Sequence, residues 1–510
     1  MIVENTFDYV VIGGGSAGCV LASRLSENMG MRIALLEAGA SDGPESMSSA
    51  NSLDAMKLWG SPVDWAFTTT PQAGLDGAAL ACPRGKVLGG SSSINGLVHA
   101  RGHASSYDAW ENQGATGWNY AAMLPYLQRS EHTDGRDPSL RGTAGPMRIE
   151  EAPPASPLAQ ALYQGAIEAG YPETDDGNGT AAEGVSWQEL NVVDHKRQSA
   201  ADAYLRPVLP RPNLTVVTDA YVRRLVMDGT RCRGAEYSKN GHTHIVRAER
   251  EVILCAGAIG SPQILMLSGI GPAAQLRDLG VVIHADLPGI GENLHDHPIT
   301  SVSCSTDQSA DTTPSRPASL LGRSDEHAEP DIFVTFIQAA VQPRWQGAGP
   351  GFSMLFALVR RTSRGSVRLR SSDPFDQPLI DPAYLTEQND VDRMVVALRM
   401  ARDIAHTSAL EPWRGTELLP GADVRSDDDC RVFIRRTAAS FFHLAGTCRM
   451  GTDEFAVVDS ELRVHGIEGL RVVDASVMPS LVSAPPNAAV LGIAERAADL
   501  IGSNTTQLAR

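Results

Sequence analysis

The chain has 510 residues, more than one hydrophobic core ordinarily holds, so we expect two domains or one large composite. Its 43 basic and 60 acidic residues give a formal net charge of −17, which disfavours nucleic acid and anionic membranes as partners. No apolar run approaches the roughly 18 residues of a membrane-spanning helix, so we expect no membrane insertion.

The start of the chain has the pattern of one βαβ unit. An apolar run over 7–12 ends in Gly13-x-Gly15-x-x-Gly18, a helical pattern follows, and a second apolar run ends at Glu37. These glycines permit a tight turn, close approach of a pyrophosphate to the backbone, and close packing of helix on strand. Glu37 can accept hydrogen bonds from ribose hydroxyls, which argues against NADP. The unit predicts binding of FAD or NAD, and its spacing does not separate the two.

The rest of the chain alternates loops with helical and strand patterns. We expect strands at 213–217, 221–227, 251–257, 332–337, 352–359, 366–370 and 471–475. We expect helices at 158–170, 391–405 and 488–501, with 110–129 helical or loop-like. The polar segment 305–330 contains three prolines and is interpreted as a mobile surface loop near the active site.

Nucleotide-binding patterns appear at the start, in the middle and at the end of the chain. This layout predicts an α/β fold, α+β overall, in which a Rossmann-like dinucleotide-binding domain is interleaved with a substrate-binding domain built on an antiparallel sheet. We assign the dinucleotide-binding domain to 1–150, 205–300 and 455–510, and the substrate-binding domain to 151–204 and 301–454.

Three further motifs have compositions suited to holding a cofactor. The loop Gly85–Asn95 contains three glycines and three serines, so its backbone can approach a flavin ring or a diphosphate, and Asn95 can hydrogen-bond to it. A polar surface turn is the alternative. The small residues of Gly257–Gly271 follow a buried strand directly, and His443–Gly451 precedes the last predicted strand and Asn487.

Together these segments resemble the glucose–methanol–choline (GMC) family of flavoprotein oxidoreductases. Gly85–Asn95 resembles the first signature of that family and Gly257–Gly271 the second. Residues 289–297 resemble its Gly-x-Asn-Leu-x-Asp-His segment, and 366–385 the start of its C-terminal half. The resemblance runs from about residue 8 to 501, in the family's order, and implies FAD rather than NAD.

The resemblance implies an FAD-dependent oxidoreductase that converts a small primary or hydroxymethyl alcohol to the aldehyde. His443 matches the catalytic base, which takes the hydroxyl proton while a hydride passes to flavin N5. An imidazole with an unperturbed pKa of about 6.5 suits that role near neutral pH. Asn487 matches the second catalytic position and would orient the alcohol oxygen, so His443 would bear the proton chemistry alone. Dioxygen or another acceptor would reoxidise the flavin.

The resemblance also implies which residues hold FAD. The expected set is Gly13, Gly15, Ser16, Ala17, Gly18, Glu37, Ala38, Lys86, Val87, Gly90, Ser91, Asn95, Gly96, Val98, Val222, Ala256, Gly257, Ser261, Asp474 and Ala475. Some relatives attach FAD covalently through a histidine in the first signature. Ile94 stands at that position, so we expect noncovalent FAD.

Several alternatives stay open at this point. A hydroxynitrile lyase of the same family would cleave its substrate without net redox chemistry, and a flavin-binding redox partner would have no catalysis. His443 would then be a core histidine. The pair His295 and His297 beside Asp296 could be interpreted as metal ligands. Because this segment belongs to the flavin domain of the family, we expect no metal there.

The cysteines and the N-terminus bear on the compartment. Seven cysteines are scattered singly, without a C-x-x-C pair, which favours buried free thiols in a reducing compartment. The N-terminus lacks the pattern of a signal peptide, so we expect a cytoplasmic protein.

Overall fold

The computed structural model describes residues 4–149, 155–179, 182–308, 316–326 and 329–507. Two large sheets organise the chain, one mostly parallel and one antiparallel. The predicted α/β fold with an antiparallel second sheet is therefore confirmed. The boundaries of the two proposed domains stay a prediction.

The first sheet contains the βαβ unit. Its strands lie in the order Leu214–Val217, Ile33–Leu36, Glu4–Ile12, His242–Leu254, Arg231–Lys239 and Tyr221–Asp228, and Leu470–Val472 also pairs with His242–Leu254. Five strands run parallel: Leu214–Val217, Ile33–Leu36, Glu4–Ile12, His242–Leu254 and Leu470–Val472. The hairpin strands Tyr221–Asp228 and Arg231–Lys239 pair in antiparallel fashion. The carboxyl-terminal parts of three parallel strands, at 9–12, Ile33–Leu36 and 252–254, are apolar and buried, as expected where helices cover both faces of a sheet.

The second sheet is antiparallel throughout. Its strands lie in the order Glu417–Leu419, Pro298–Ser305, Gly351–Leu358, Ile332–Ile337, Ala318–Gly322 and Gly184–Trp187, with Ala439–Ser440 also paired to Pro298–Ser305. Alternate residues of Ile332–Ile337 point to opposite faces. Ile332, Val334 and Phe336 pack in a core with the helix Gln388–Ala405. Phe333 and its neighbours on the other face form a smaller apolar cluster.

Helices connect and cover these sheets. The α-helices are Ser16–Leu25, Ala104–Asn112, Tyr120–Ser130, Pro157–Glu168, Gly257–Leu267, Ala273–Asp278, Gln388–Ala405, Asp427–Thr437 and Asn487–Gln507. Shorter helical turns are Glu45–Ser48, Ser52–Leu58, Ala73–Leu75, Gly90–Ser93, Ala201–Leu205, Arg206–Val208, Pro343–Trp345, Ser408–Leu410 and Ala475–Val477. The segment 110–129 thus contains the end of one helix and most of another.

Short ladders complete the structure. They pair Phe67–Thr68 with Ala81–Cys82, Val98–His99 with Glu189–Leu190, Glu131–Thr133 with Met147–Ile149, Val192–Val193 with Lys196–Arg197, Ile270–Gly271 with Ala285–Asp286, Ala340–Val341 with Ala348–Gly349, and Ser366–Arg368 with Leu379–Asp381.

The interpretation of 305–330 as one surface loop is wrong. Ala318–Gly322 is a fully buried strand that pairs with Ile332–Ile337 and Gly184–Trp187. The apolar side chains of this strand are buried, although the wider segment 305–330 is polar in composition. Residues 309–315 and 327–328 of the predicted loop lie outside the described residues.

Two glycines explain the turn that joins the first strand to its helix. Gly13 has φ +101°, and a Cβ there would lie 2.5 Å from the carbonyl oxygen of Cys255. A Cβ on Gly18 would lie 1.9 Å from the carbonyl oxygen of Gly13, so only glycine lets the helix Ser16–Leu25 lie this close to the strand. The turn brings the N-terminus of that helix to the carboxyl edge of the first sheet.

Candidate active site

A cavity of about 410 Å³ lies between the carboxyl edge of the first sheet and one face of the second. Ile12, Leu36 and Cys255 line it from the ends of parallel first-sheet strands. Phe333 and Leu355 line it from the second sheet. Open parallel sheets commonly bind ligands at this edge.

The cavity brings together most of the predicted site residues. It is lined by Gly13, Gly15, Ser16, Ala17, Glu37, Ala38, Gly90, Ser91, Asn95, Gly96, Val98, Val222, Ala256, Gly257, His443, Asp474, Ala475 and Asn487. Four other predicted residues stand behind this wall: Gly18, Lys86, Val87 and Ser261.

These four residues support the wall from behind. Gly18 allows the close helix–strand packing described above, and Val87 is buried beside Ile94 and pairs with Ala40. The Lys86 ammonium lies 5.0 Å from the ring centre of Trp65, which lines the cavity. The Ser261 hydroxyl donates to Asp474 at 2.6 Å.

The two glycine-rich turns face each other at one end of the cavity. A Cβ on Gly90 would lie 2.7 Å from the Cα of Gly15, while a Cβ on Gly15 would meet only that Gly90 Cα, at 3.9 Å. The helix Ser16–Leu25 has no side-chain cap, so its first N–H groups are free to meet an anion. This cradle has the space and the donors that the diphosphate of FAD requires.

Two buried carboxylates line the cavity, each held in place by the protein. Glu37 accepts backbone N–H groups of Gly14 and Gly39, both at 2.8 Å, and burial raises its pKa to about 7 against the effect of these bonds. Asp474 accepts the N–H of Gly257 at 2.9 Å and the Ser261 hydroxyl, and burial raises its pKa. Fixed carboxylates of this kind can orient ligand hydroxyls.

The carboxamide of Asn95 is held in one orientation. Its Oδ1 accepts the backbone N–H of Leu97 at 3.0 Å and the guanidinium of Arg197 at 2.7 Å. Because both partners are donors, the oxygen is identified, and Nδ2 is the end of the amide without a hydrogen bond to the described residues. Arg197 is buried and also donates to the carbonyls of Met47 and Ser92. Sequence reasoning missed this residue, since nothing in its local pattern shows which loop it holds.

Asn487 is held in the same way at the start of the helix Asn487–Gln507. The Ser16 hydroxyl donates to its Oδ1 at 2.7 Å, so Nδ2 is the free end of the amide. That Nδ2 is enclosed and has no partner among the described residues. A buried donor without an acceptor is costly, and an oxygen or nitrogen of a ligand in the cavity would satisfy it.

His443 pairs with a second histidine. Its Nδ1 lies 3.0 Å from the Nδ1 of His297, with the two rings nearly perpendicular. Two imidazole Nδ1 atoms can share a hydrogen bond only if one of them carries a proton. His443 lines the cavity, and its Nε2 has no protein partner among the described residues. The structure therefore gives His443 a histidine neighbour that the sequence analysis did not anticipate.

Asp296 fixes the backbone around both imidazoles. Its Oδ1 accepts the N–H groups of His297 and His443, each at 2.7 Å. Its Oδ2 accepts the hydroxyls of Tyr384 and Ser440, each at 2.5 Å. Asp296, which the sequence analysis placed between the possible metal ligands His295 and His297, thus holds the backbone of both His297 and His443. Within the described ranges, no three histidine, cysteine or carboxylate side chains group as a metal site would require.

Burial changes the proton affinity of both histidines. It lowers the pKa of His443 well below its ordinary 6.5, and the neighbouring His297 and Arg84 lower it further. Burial likewise lowers the pKa of His297 to about 4. The expectation of an unperturbed pKa for His443 is wrong, because a charged imidazole there would lose its hydration. Both shifts favour neutral imidazoles at neutral pH. A neutral His443 ring can accept a proton at the nitrogen that carries none.

The far wall of the cavity is aromatic. Trp59, Trp345 and Phe442 line it and contact one another, with Trp59 and Phe442 ring centres 4.7 Å apart. The ring centres of Phe441 and His443 lie 4.4 Å apart. Among the described residues, the carboxylates of the lining are Glu37 and Asp474, both on the first-sheet side.

Two further observations concern the whole chain. All seven cysteines are free and buried. Across the described ranges, none of the helices has both the length and the apolar character that crossing a bilayer would take.

Comparisons with known proteins place the chain among flavoenzymes. A family model described as GMC oxidoreductase matches residues 7–299 and its C-terminal counterpart matches 361–494. The chain is 40% identical to the mitochondrial choline dehydrogenase of Homo sapiens, over 98% of this chain and 90% of that protein. It is also 40% identical to an oxygen-dependent choline dehydrogenase of Brucella anthropi, over 98% and 96%.

Solved structures agree in fold. Pyridoxine 4-oxidase from Mesorbium loti is 37% identical with a TM-score of 0.91, over 97% of this chain and 99% of that one. A formate oxidase of Aspergillus oryzae RIB40, described for the effect of a mutation on its FAD modification, is 27% identical with a TM-score of 0.90, over 99% of both chains. These names are those of dehydrogenases and oxidases, which does not favour the hydroxynitrile lyase alternative.

Proposed function

Because this chain belongs to the GMC oxidoreductase family and is an FAD-dependent oxidoreductase of CH–OH groups, we propose that it oxidises a neutral primary alcohol, of the hydroxymethyl-aromatic kind, to the aldehyde. His443 is the base and Asn487 orients the alcohol oxygen. The observation that carries the proposal is the His443 imidazole, neutral and open at Nε2, in the same cavity as the glycine cradle.

The two histidines divide the proton chemistry. His443 accepts the hydroxyl proton at Nε2 and becomes an imidazolium whose Nδ1–H points at His297. His297 supplies a neutral Nδ1 acceptor, because its pKa of about 4 keeps it unprotonated at neutral pH. FAD, when bound, supplies the acceptor for the hydride of the carbinol carbon. The developing charge on His443 is thus stabilised by a hydrogen bond that is already in place.

Asn487 and Asn95 present donors on the cofactor side. The free Nδ2 of Asn487 can bond the alcohol oxygen, and an amide cannot act as a base near pH 7. Asn95 lines the cavity with its Oδ1 held by Arg197, so its free Nδ2 can bond the flavin. The Gly13–Gly18 turn would hold the diphosphate of FAD, and Glu37 would hold its ribose.

The carboxylates of the lining, rather than its aromatic wall, favour a neutral substrate over a quaternary ammonium ion. The aromatic wall suits a flat apolar ring in van der Waals contact, and it equally suits a quaternary ammonium ion through cation–π attraction. A cationic alcohol such as choline would be stabilised by a carboxylate, but Glu37 and Asp474 are committed to the backbone on the other side. The choline dehydrogenase names of relatives therefore do not by themselves assign that substrate.

The proposal also covers the attachment of FAD, the division into domains and the compartment. FAD is held noncovalently, because Ile94, which lines the cavity, offers no atom for a covalent bond. We retain the proposal that residues 1–150, 205–300 and 455–510 form the FAD-binding domain and that 151–204 and 301–454 form the substrate-binding domain. Buried free thiols suit a reducing compartment, which supports a cytoplasmic location.

Anaerobic mixing with a panel of alcohols tests the proposal. Benzyl alcohol should bleach the flavin absorbance and choline should not, and admitting air should then report whether dioxygen restores it. Hot-acid precipitation should release all the FAD, which would remain with the protein if it were covalently bound. A flavin that stays oxidised with every alcohol of the panel would refute the proposed activity.

A further inference from the structure

A hydrogen-bonded polar pair interrupts the otherwise apolar second-sheet wall of the cavity. Thr335 lies on the strand Ile332–Ile337, between Phe333 and Ile337 on the same face. All three line the cavity, as does Leu355, the partner of Thr335 on the next strand. Thr335 is the polar member of this face, and its side chain is 7% exposed.

Gln188, which directly follows the strand Gly184–Trp187 of the same sheet, completes the pair and also lines the large cavity. Its Nε2 donates to the Thr335 hydroxyl oxygen at 3.0 Å, and it is 6% exposed. Among the described residues, neither Gln188 Oε1 nor the Thr335 hydroxyl hydrogen has a further partner. Gln188 lines both the large cavity and a smaller adjoining cavity of about 40 Å³, whereas Thr335 lines the large cavity but not the smaller one.

Two aromatic contacts connect the strand of Thr335 with His443. Phe333, next but one to Thr335, contacts Phe441 with ring centres 6.2 Å apart, and Phe441 contacts His443. A substrate whose hydroxymethyl group reaches His443 could therefore direct a second group along these side chains toward Thr335, while its ring contacts the aromatic wall. Valine would fill the same space as Thr335 without burying a hydroxyl, so the hydroxyl is an unnecessary cost if the wall meets only hydrocarbon.

We propose that Gln188 and Thr335 form a subsite for a second, neutral polar group of the substrate, a hydroxyl on the aromatic ring. The Thr335 hydroxyl donates to the oxygen of that group, and Gln188 Oε1 accepts its hydrogen. One hydroxyl satisfies both partners, a methyl group satisfies neither, and an ionised group would lack a counter-ion. The inference rests on the proposed function, since it concerns the same cavity.

Ligand binding separates this inference from the proposed activity. The holoenzyme is titrated with 2-, 3- and 4-hydroxybenzaldehyde and with the three methylbenzaldehydes, and Kd is read from the change in flavin absorbance. At least one hydroxy compound should bind about 5- to 100-fold more tightly than its methyl counterpart. This preference should shrink to a few-fold in Thr335→Val and persist in Thr335→Ser, which keeps the hydroxyl.

The outcomes have separate meanings. Equal affinities within all three pairs in the parent protein would overturn the subsite, as would a preference that survives in Thr335→Val. Oxidation of benzyl alcohol without any such preference would leave the proposed function standing and refute the subsite alone. A preference in binding with no flavin reduction by any alcohol would support the subsite and refute the proposed oxidation.

Discussion

Removal of the His297 imidazole should slow substrate oxidation without preventing FAD from binding. In His297→Leu, the Nδ1 acceptor that lies 3.0 Å from His443 is lost while an apolar side chain fills the space. A hydrogen bond to a charged group contributes about 1.5–3 kcal/mol, and the partner here becomes charged only as His443 takes the proton. At about 1.4 kcal/mol per tenfold, the rate of flavin reduction should fall about 10- to 150-fold.

His297→Asn is the matched control. The amide oxygen of asparagine stands the same number of bonds from the backbone as Nδ1, so it can accept the same hydrogen bond. Anaerobic stopped-flow measurement of flavin reduction should find this variant within a few-fold of the parent. Parent-like rates in His297→Leu, or equal losses in the leucine and asparagine variants with unchanged melting temperatures, would refute the reasoning.

Two more predictions concern the cradle and acid stability. Gly15→Val should fold but purify colourless, because a Cβ there lies 3.9 Å from the nearest atom, the Gly90 Cα, while the side chain would occupy the space of the diphosphate. Gly18→Ala should instead destabilise the fold itself, because its Cβ would meet the Gly13 carbonyl oxygen. A yellow Gly15→Val variant would contradict this prediction. The pKa of His297, about 4 when folded and about 6.5 when unfolded, means that the unfolded chain binds the proton first. Stability should thus fall as the pH drops below about 6.5, with a loss of about 3 kcal/mol from this group at pH 4. Urea titrations at pH 7 and pH 4 should show that the free energy of unfolding falls by about 3 kcal/mol less in His297→Asn than in the parent. Equal decreases in the two proteins would contradict the assignment.

The sequence predicted those parts of the site that local spacing dictates. The turn from Gly13 to Gly18 is fixed by strand, turn and helix geometry within a few residues, and the structure places it on the cavity. The motifs at Asn95, Asp474 and Asn487 could be located because each stands beside a glycine-rich turn, a strand end or a helix start. Their roles toward FAD and substrate stay predictions.

Contacts between distant segments could not be predicted in this way. His297 and His443 are 146 positions apart, and no periodicity records that their rings meet. The lowered pKa of His443 depends on that contact and on burial, so an ordinary value was the natural expectation. Thr335 lies in a strand that is buried on nearly its whole length, and alternation alone cannot tell which face meets a cavity.

The rate of anaerobic flavin reduction in His443→Ala tests the central claim most directly. Benzyl alcohol should reduce the flavin of this variant about 10²- to 10⁴-fold more slowly than that of the parent, with the FAD content unchanged, because the alcohol proton has lost its acceptor. His406→Ala, an exposed histidine just beyond the helix Gln388–Ala405, should match the parent. A His443→Ala rate within a few-fold of the parent rate would contradict the account.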